Sequence, residues 1–201
     1  MQLKRADIVT AAIALLDAEG LDGLTMRKLG ARLGVQAGAI YWHFKDKEAL
    51  LGAMADRMIG ESADPPLAPG TWDAQLTEYA TRARRALLAH RDGARVMAGT
   101  YVQEQNTVHA GEMGVRILTD AGYPLDRAGW VIFSLMYYVL GYTIEEQAQA
   151  QAGDWEDRGI EDTALLSAMS DVVRSDPDER FAYGLGLFMD GVRLRLAEAL
   201  S

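Results

Sequence analysis

Residues 24–47, Leu-Thr-Met-Arg-Lys-Leu-Gly-Ala-Arg-Leu-Gly-Val-Gln-Ala-Gly-Ala-Ile-Tyr-Trp-His-Phe-Lys-Asp-Lys, admit few folds. Thr25 is placed to cap a helix, because its hydroxyl accepts a bond from an otherwise orphan backbone N–H. Leu29 and Leu33 then recur at the four-residue interval that puts both on one helix face. Gly34 supplies the left-handed backbone that ends that helix and begins a turn. A second short helix, expected from about Gln36 to Phe44, presents the smooth surface Ala37-Gly38-Ala39 and anchors itself inward through Val35 and Ile40. Phe44 reads as core beside Ile40. Two such helices around a glycine turn are the geometry of a helix-turn-helix, whose second helix enters a DNA major groove. A hairpin of structural use alone has no need of an exposed aromatic, histidine and basic cluster at its end.

Whole-chain charge points the other way, at −9 for 201 residues. Its distribution resolves the conflict. Residues 1–47 carry seven Lys/Arg against five Asp/Glu, leaving thirteen against twenty-four for the remainder. A mildly basic head on an acidic body meets DNA through the head while the body repels phosphates. Cysteine is absent, so disulfides and thiolate metal sites are excluded. No apolar run is long enough to span a membrane, and Lys4, Arg5 and Asp7 interrupt any signal-peptide core; a cytoplasmic location is expected.

The rest of the chain reads as all-α, with no sustained two-residue alternation and no internal repeat. Ile8, Ala12, Leu15 and Leu16 make an apolar stripe from about Arg5 to Ala18, stopped by Gly20. Asp46 caps a connector helix running to about Met58, with Leu50, Met54 and Met58 inward. Three prolines make 64–70 a loop. Helical patterns resume at Trp72–His90, Asp92–Gly99, Val102–Ala121, Leu125–Gln149, Glu161–Arg174 and Pro177–Leu200. The polar stretch Gln149–Gly159 reads as an exposed connection. The expected division is a DNA-binding head at 1–47, a connector at 48–63 and an effector-binding and dimerisation body at 71–201.

The order Thr-x-Arg-Lys-Leu, Leu-Gly-Val, Tyr-Trp-His-Phe-Lys-x-Lys, continuing into Glu48-Ala49-Leu50-Leu51, closely resembles the DNA-binding domain of the tetracycline-repressor (TetR) family. His90-Arg91-Asp92-Gly93-Ala94-Arg95-Val96 with Gly99-Thr100, and Leu140-Gly141-Tyr142-Thr143-Ile144-Glu145-Glu146-Gln147, resemble body segments of the tetracycline repressors themselves. The resemblance implies a repressor that binds a palindromic DNA operator as a homodimer and is released by a small molecule, rather than an enzyme. It implies Tyr41, Trp42, His43 and Lys47 as contacts to the DNA backbone and Gln36, Ala37, Gly38 and Ala39 as the base-facing stretch. Arg27 and Lys28 stand where they meet phosphate or a guanine edge. Met26 replaces a residue that is often polar, and Ala37, Gly38 and Ala39 lack side-chain donors. Direct readout is therefore expected to rest on Arg27, Gln36 and contact with thymine methyls. A DNA-binding protein without an effector is the alternative.

The magnesium-chelating pocket implied by that resemblance is not preserved. Its histidine before the Gly-Thr pair is Met97, the arginine after the pair is Tyr101, and its upstream asparagine and phenylalanine are Tyr79 and Ala83. A further histidine becomes Ala63, and Glu145 alone keeps its type. Methionine is a poor ligand for hard magnesium. Tyr79, Met97, Tyr101, Met113, Ile117, Phe133, Met136 and Tyr137 suit a largely apolar or aromatic effector instead, with Ala83 and Thr100 beside them. No cofactor or metal is expected; His90 and His109 are nineteen residues apart with no ligand spacing, and His90 reads as a hydrogen-bonding residue at a signalling hinge. The helices at 125–149 and 177–200 are apolar on more than one face, as a four-helix dimer interface requires, with Leu187 or Phe188 toward the partner.

Overall fold

The computed structural model describes residues 3–63, 65–100, 104–152, 170–172 and 174–199, and these are helical wherever they are regular. The helices are α1 (Arg5–Gly23), α2 (Met26–Leu33), α3 (Ala37–Tyr41), α4 (Lys47–Glu61), α5 (Trp72–Leu88), α6 (Gly93–Ala98), α7 (Gln105–Asp120), α8 (Leu125–Ala152) and α9 (Pro177–Ala199). The expected helix at 161–174 lies outside the described residues save for 170–172 and 174, which are helical. Among the described residues no helix is long and apolar enough to cross a membrane.

Local rules set most boundaries. Gly20 breaks α1 with φ 74°, and one further turn follows to Gly23. The Thr25 hydroxyl accepts from the Lys28 N–H at 3.2 Å, and Gly34 takes the left-handed conformation at φ 68°. Asp46 caps α4 by accepting from the Ala49 N–H at 2.8 Å. Helix α8 continues to Ala152, so Gln149–Ala152 belong to it rather than to a connection, and 153–159 lie outside the described residues.

Two apolar cores result among the described residues. The head core joins Ile8, Ala12 and Leu16 of α1 to Leu29 of α2, Ile40 of α3 and Phe44. Leu50, Met54, Ala55 and Met58 of α4 belong to it, and so does Val96 of α6. Burying side chains of this size stabilises by roughly 1.5–3 kcal/mol each. The body core runs along Leu76, Tyr79, Ala80 and Ala83 of α5, Ile117 and Leu118 of α7, and Ala128, Ile132, Leu135 and Val139 of α8. Phe181, Leu185, Met189, Val192 and Leu196 of α9 complete it. Ile59, one residue past Met58, belongs to this second core, so α4 is shared by both halves.

Candidate nucleic-acid interface and effector region

Helices α2 and α3 meet closely because Gly30 lies at their crossing, where a Cβ would stand 2.8 Å from the Val35 carbonyl oxygen. Ile40 and Phe44 are sealed beneath α3, as the sequence pattern requires. What remains outward is polar or aromatic. Trp42 is 90% exposed and Tyr41 50%, with Arg27, Gln36 and Lys45 also exposed. Ala37, Ala39, His43 and Lys47 are partly exposed, and Gly38 is exposed with nothing within 4 Å of a Cβ built on it. Among the described residues Arg27 has no ion-pair partner, whereas Lys28 is paired with Glu19.

One expected contact does not reach this surface. Met26 is 9% exposed and packs into the head core, because its position three residues before Leu29 puts it on the same inward face. The recognition helix is also shorter than the expected span: α3 covers Ala37–Tyr41, with Gln36 at its N-cap and Trp42 to Phe44 beyond it.

The expected effector residues divide into three groups. Tyr79 and Ala83 of α5 and Ile117 of α7 are buried together in the body core, with Met113 and Met136 packed against it. Gly114 keeps these helices close: a Cβ there would lie 2.8 Å from the Ile132 side chain and 3.3 Å from the Tyr79 ring. Burial pushes the Tyr79 hydroxyl up to about 12, so it stays a neutral hydrogen-bonding group.

Phe133 and Tyr137 are not with them. The inward stripe of α8 is Ala128, Ile132, Leu135, Val139, Thr143 and Gln147, and Phe133 and Tyr137 lie on the opposite side, 62% and 68% exposed. Trp130 continues that outer apolar stripe, and Tyr183, Leu187 and Leu194 form a second one on α9. Phe188 packs against the body core, so Leu187 is the outward residue of that pair.

The third group sits between head and body. Met97 packs against the head core rather than the body core. The Thr100 hydroxyl donates back to the Val96 and Met97 carbonyls at 3.0 and 3.2 Å. His90 stands with Nδ1 3.1 Å from an Asp17 carboxylate oxygen of α1 and Nε2 3.8 Å from that of Glu61 of α4. Its Nε2 is buried with no hydrogen-bond partner among the described residues. Tyr101 lies outside the described residues.

Beside His90 is a junction that the sequence did not disclose. Asp92 holds a positive φ of 57°, uncommon for a residue with a side chain. Its carboxylate accepts from the Leu21 N–H of α1 at 2.9 Å, from Gln151 of α8 at 3.2 Å and from Arg95 at 3.2 Å. Burial alone would raise its pKa, but these donors outweigh it and lower the value. Gln147 bonds the Leu87 and His90 carbonyls at 3.2 and 2.8 Å and accepts from the Ala94 N–H at 3.2 Å. The turn from α5 into α6 is thus tied to α1 on one side and α8 on the other.

A cavity of about 320 Å³ opens between α5 and α9, lined by Thr77, Thr81, Arg84, Arg85, Asp178, Phe181 and Met189 among others. None of the expected effector residues that lie among the described residues lines it. Among the described residues no group of three or more His, Asp or Glu side chains is placed to hold a metal ion.

Residues 8–54 match the family described as bacterial regulatory proteins, tetR family, and residues 64–196 match the tetracyclin repressor-like C-terminal domain. The tetracycline repressor protein class C of Escherichia coli is 38% identical over 207 residues, covering 97% of this chain and 93% of that protein. A TetR variant from Acinetobacter baumannii AYE, solved in complex with minocycline, superposes with a TM-score of 0.77 at 36% identity, over 96% of this chain and 99% of that one. BioQ, solved with its double-stranded DNA operator, superposes with a TM-score of 0.73 at 31% identity, over 94% of this chain and 98% of that one.

Proposed function

Since this chain belongs to the tetR family of bacterial regulatory proteins, we propose that it is a homodimeric transcriptional repressor released from a palindromic operator by a small molecule. The observation that carries the DNA-binding part is the outward edge of the head. A tryptophan 90% exposed, on a head that also leaves Tyr41, Arg27 and Gln36 outward over a sealed core, has no packing role among the described residues. BioQ, of similar fold, is seen with its operator. In the dimer, two copies of α3 would enter successive major grooves roughly 34–36 Å apart. The outer stripes of α8 and α9 would form the two-fold contact.

The effector is proposed to be largely apolar or aromatic and independent of metal, held among Tyr79, Ala83, Met113, Ile117 and Met136 of α5, α7 and α8. Support comes from the character of these side chains and from Met97, whose thioether is turned to the head and is no magnesium ligand. The ligand must prefer the state in which the heads no longer fit one operator, since equal affinity for both states shifts nothing. A magnesium–tetracycline effector is the second reading, favoured by the tetracycline repressors among its relatives.

The test begins with a DNA duplex selected from a random pool by the full-length protein. Polycyclic aromatic compounds and tetracycline are then assayed for its release, with magnesium and with EDTA. Release by an aromatic compound that EDTA leaves unchanged is the expected result. Magnesium-dependent release by tetracycline would overturn the metal-free reading.

A further inference from the structure

Helix α7 begins without a cap of its own: the side chain of Glu104, at its N-cap position, accepts no bond from the first turn. The missing acceptor comes from the connector helix. Asp56 of α4 accepts from the Thr107 N–H at 2.8 Å and the Thr107 hydroxyl at 3.0 Å through one oxygen, and from the Asn106 amide at 2.9 Å through the other. A carboxylate suits a helix N-terminus well, because it meets both the free N–H groups and the positive end of the helix dipole. The two helices touch closely here: a Cβ on Gly60 would lie 2.9 Å from the Asn106 amide nitrogen. The same turn is held to α1, where Arg5 pairs with Glu104 at 3.0 Å, and Arg57, next to Asp56, donates to Thr10 of α1 at 2.6 Å.

We propose that Asp56 is the positioning residue that couples the body to the head, an external cap through which the first turn of α7 fixes the tilt of α4. The inference rests on the functional reading above and adds to it that the tilt of α4, the helix shared by both cores, decides whether two heads fit one operator. Helix α7 also carries Met113 and Ile117, two of the side chains among which the effector is proposed to sit. A shift of that turn breaks the three bonds to Asp56 or carries α4 with it. Coupling of this kind is reciprocal, so DNA bound at the heads must alter the first turn of α7 as surely as the reverse. That reciprocity makes the proposal testable without knowing the effector.

The experiment measures amide hydrogen exchange across residues 105–110 in the full-length protein, free and bound to a duplex selected from a random pool by the wild type. Wild type is expected to show a change of about fivefold on DNA binding, the scale of one cap. Asp56→Ala is expected to bind the duplex while losing most of that change. The pair Asp56→Asn with Asn106→Asp exchanges donor and acceptor and is expected to restore it, which a loss of folding would not allow. An unaltered DNA-dependent change in Asp56→Ala would overturn the inference alone. Failure to select any duplex would overturn the functional reading and this inference with it.

Discussion

At the scale of single residues, the head separates side chains that hold the fold from side chains left over for a partner. Arg27 and Tyr41 are exposed, and under the proposed function they would make different kinds of contact with DNA. Arg27→Ala is expected to cost about 1–3 kcal/mol of operator affinity and to relax selectivity, whereas Tyr41→Phe weakens all sequences alike. Titration of selected and mismatched duplexes at fixed salt checks this, and wild-type affinity in a folded Arg27→Ala protein would refute the assignment. The tyrosines of the body give a second, purely physical prediction. Burial pushes both Tyr79 and Tyr138 up to about 12, and Tyr138 also donates to the Phe181 carbonyl at 2.8 Å. The native state therefore keeps two protons that the unfolded chain releases near pH 10. Stability is fully present below that value and falls as pH rises through 10 toward 12. Ultraviolet titration of the phenols should resolve a late-ionising pair, which Tyr79→Phe reduces by one.

Among the elements, those governed by neighbouring residues are legible in the sequence alone. Thr25, Gly34 and Asp46 act within four residues of themselves, and each does what its chemistry predicts. Thr25→Ala should cost about 1 kcal/mol. Gly30→Ala should cost more, since the new methyl meets the backbone oxygen of Val35 rather than a side chain that can move. Denaturant melts of the two variants give the order. What the sequence concealed lies in contacts made across the chain. Asp92 reaches α1 and α8, and Gln147 reaches the α5–α6 turn, over separations that no local pattern encodes. That Phe133 and Tyr137 face away from the core is hidden in the sequence for a different reason. On a helix apolar on opposite sides, periodicity marks both stripes without saying which one faces the core. Arg84 shows the same limit: it is buried at the meeting of α5, α8 and α9, clasped by Glu146 at 2.7 and 2.8 Å and by Asp178 at 2.6 Å. Its guanidinium lies 4.8 Å from the Phe181 ring centre. Arg84→Ala would leave Glu146 largely buried without its partner, at a cost of roughly 3–5 kcal/mol. Adding Glu146→Gln should recover part of that loss in thermal melts, an outcome that simple loss of packing does not produce.

For the molecule as a whole, Trp130, Phe133 and Tyr137 on α8 and Tyr183, Leu187 and Leu194 on α9 form exposed apolar stripes, and the proposed homodimer would cover them. Leu187→Glu should give monomers with weakened operator binding. Sedimentation decides it, and a wild-type protein monomeric at micromolar concentration would end the two-fold mechanism. The partition of the two cores has a further consequence, for anyone who would recombine such proteins. Val96 is sealed into the head core and Met97 packs on it, though both stand about fifty residues beyond the helix-turn-helix in the chain. A chimera joined after residue 47, or even after α4, would inherit a foreign plug beneath its reading head. Grafts into this scaffold should therefore treat α6 as part of the transplanted module, with two crossover points rather than one.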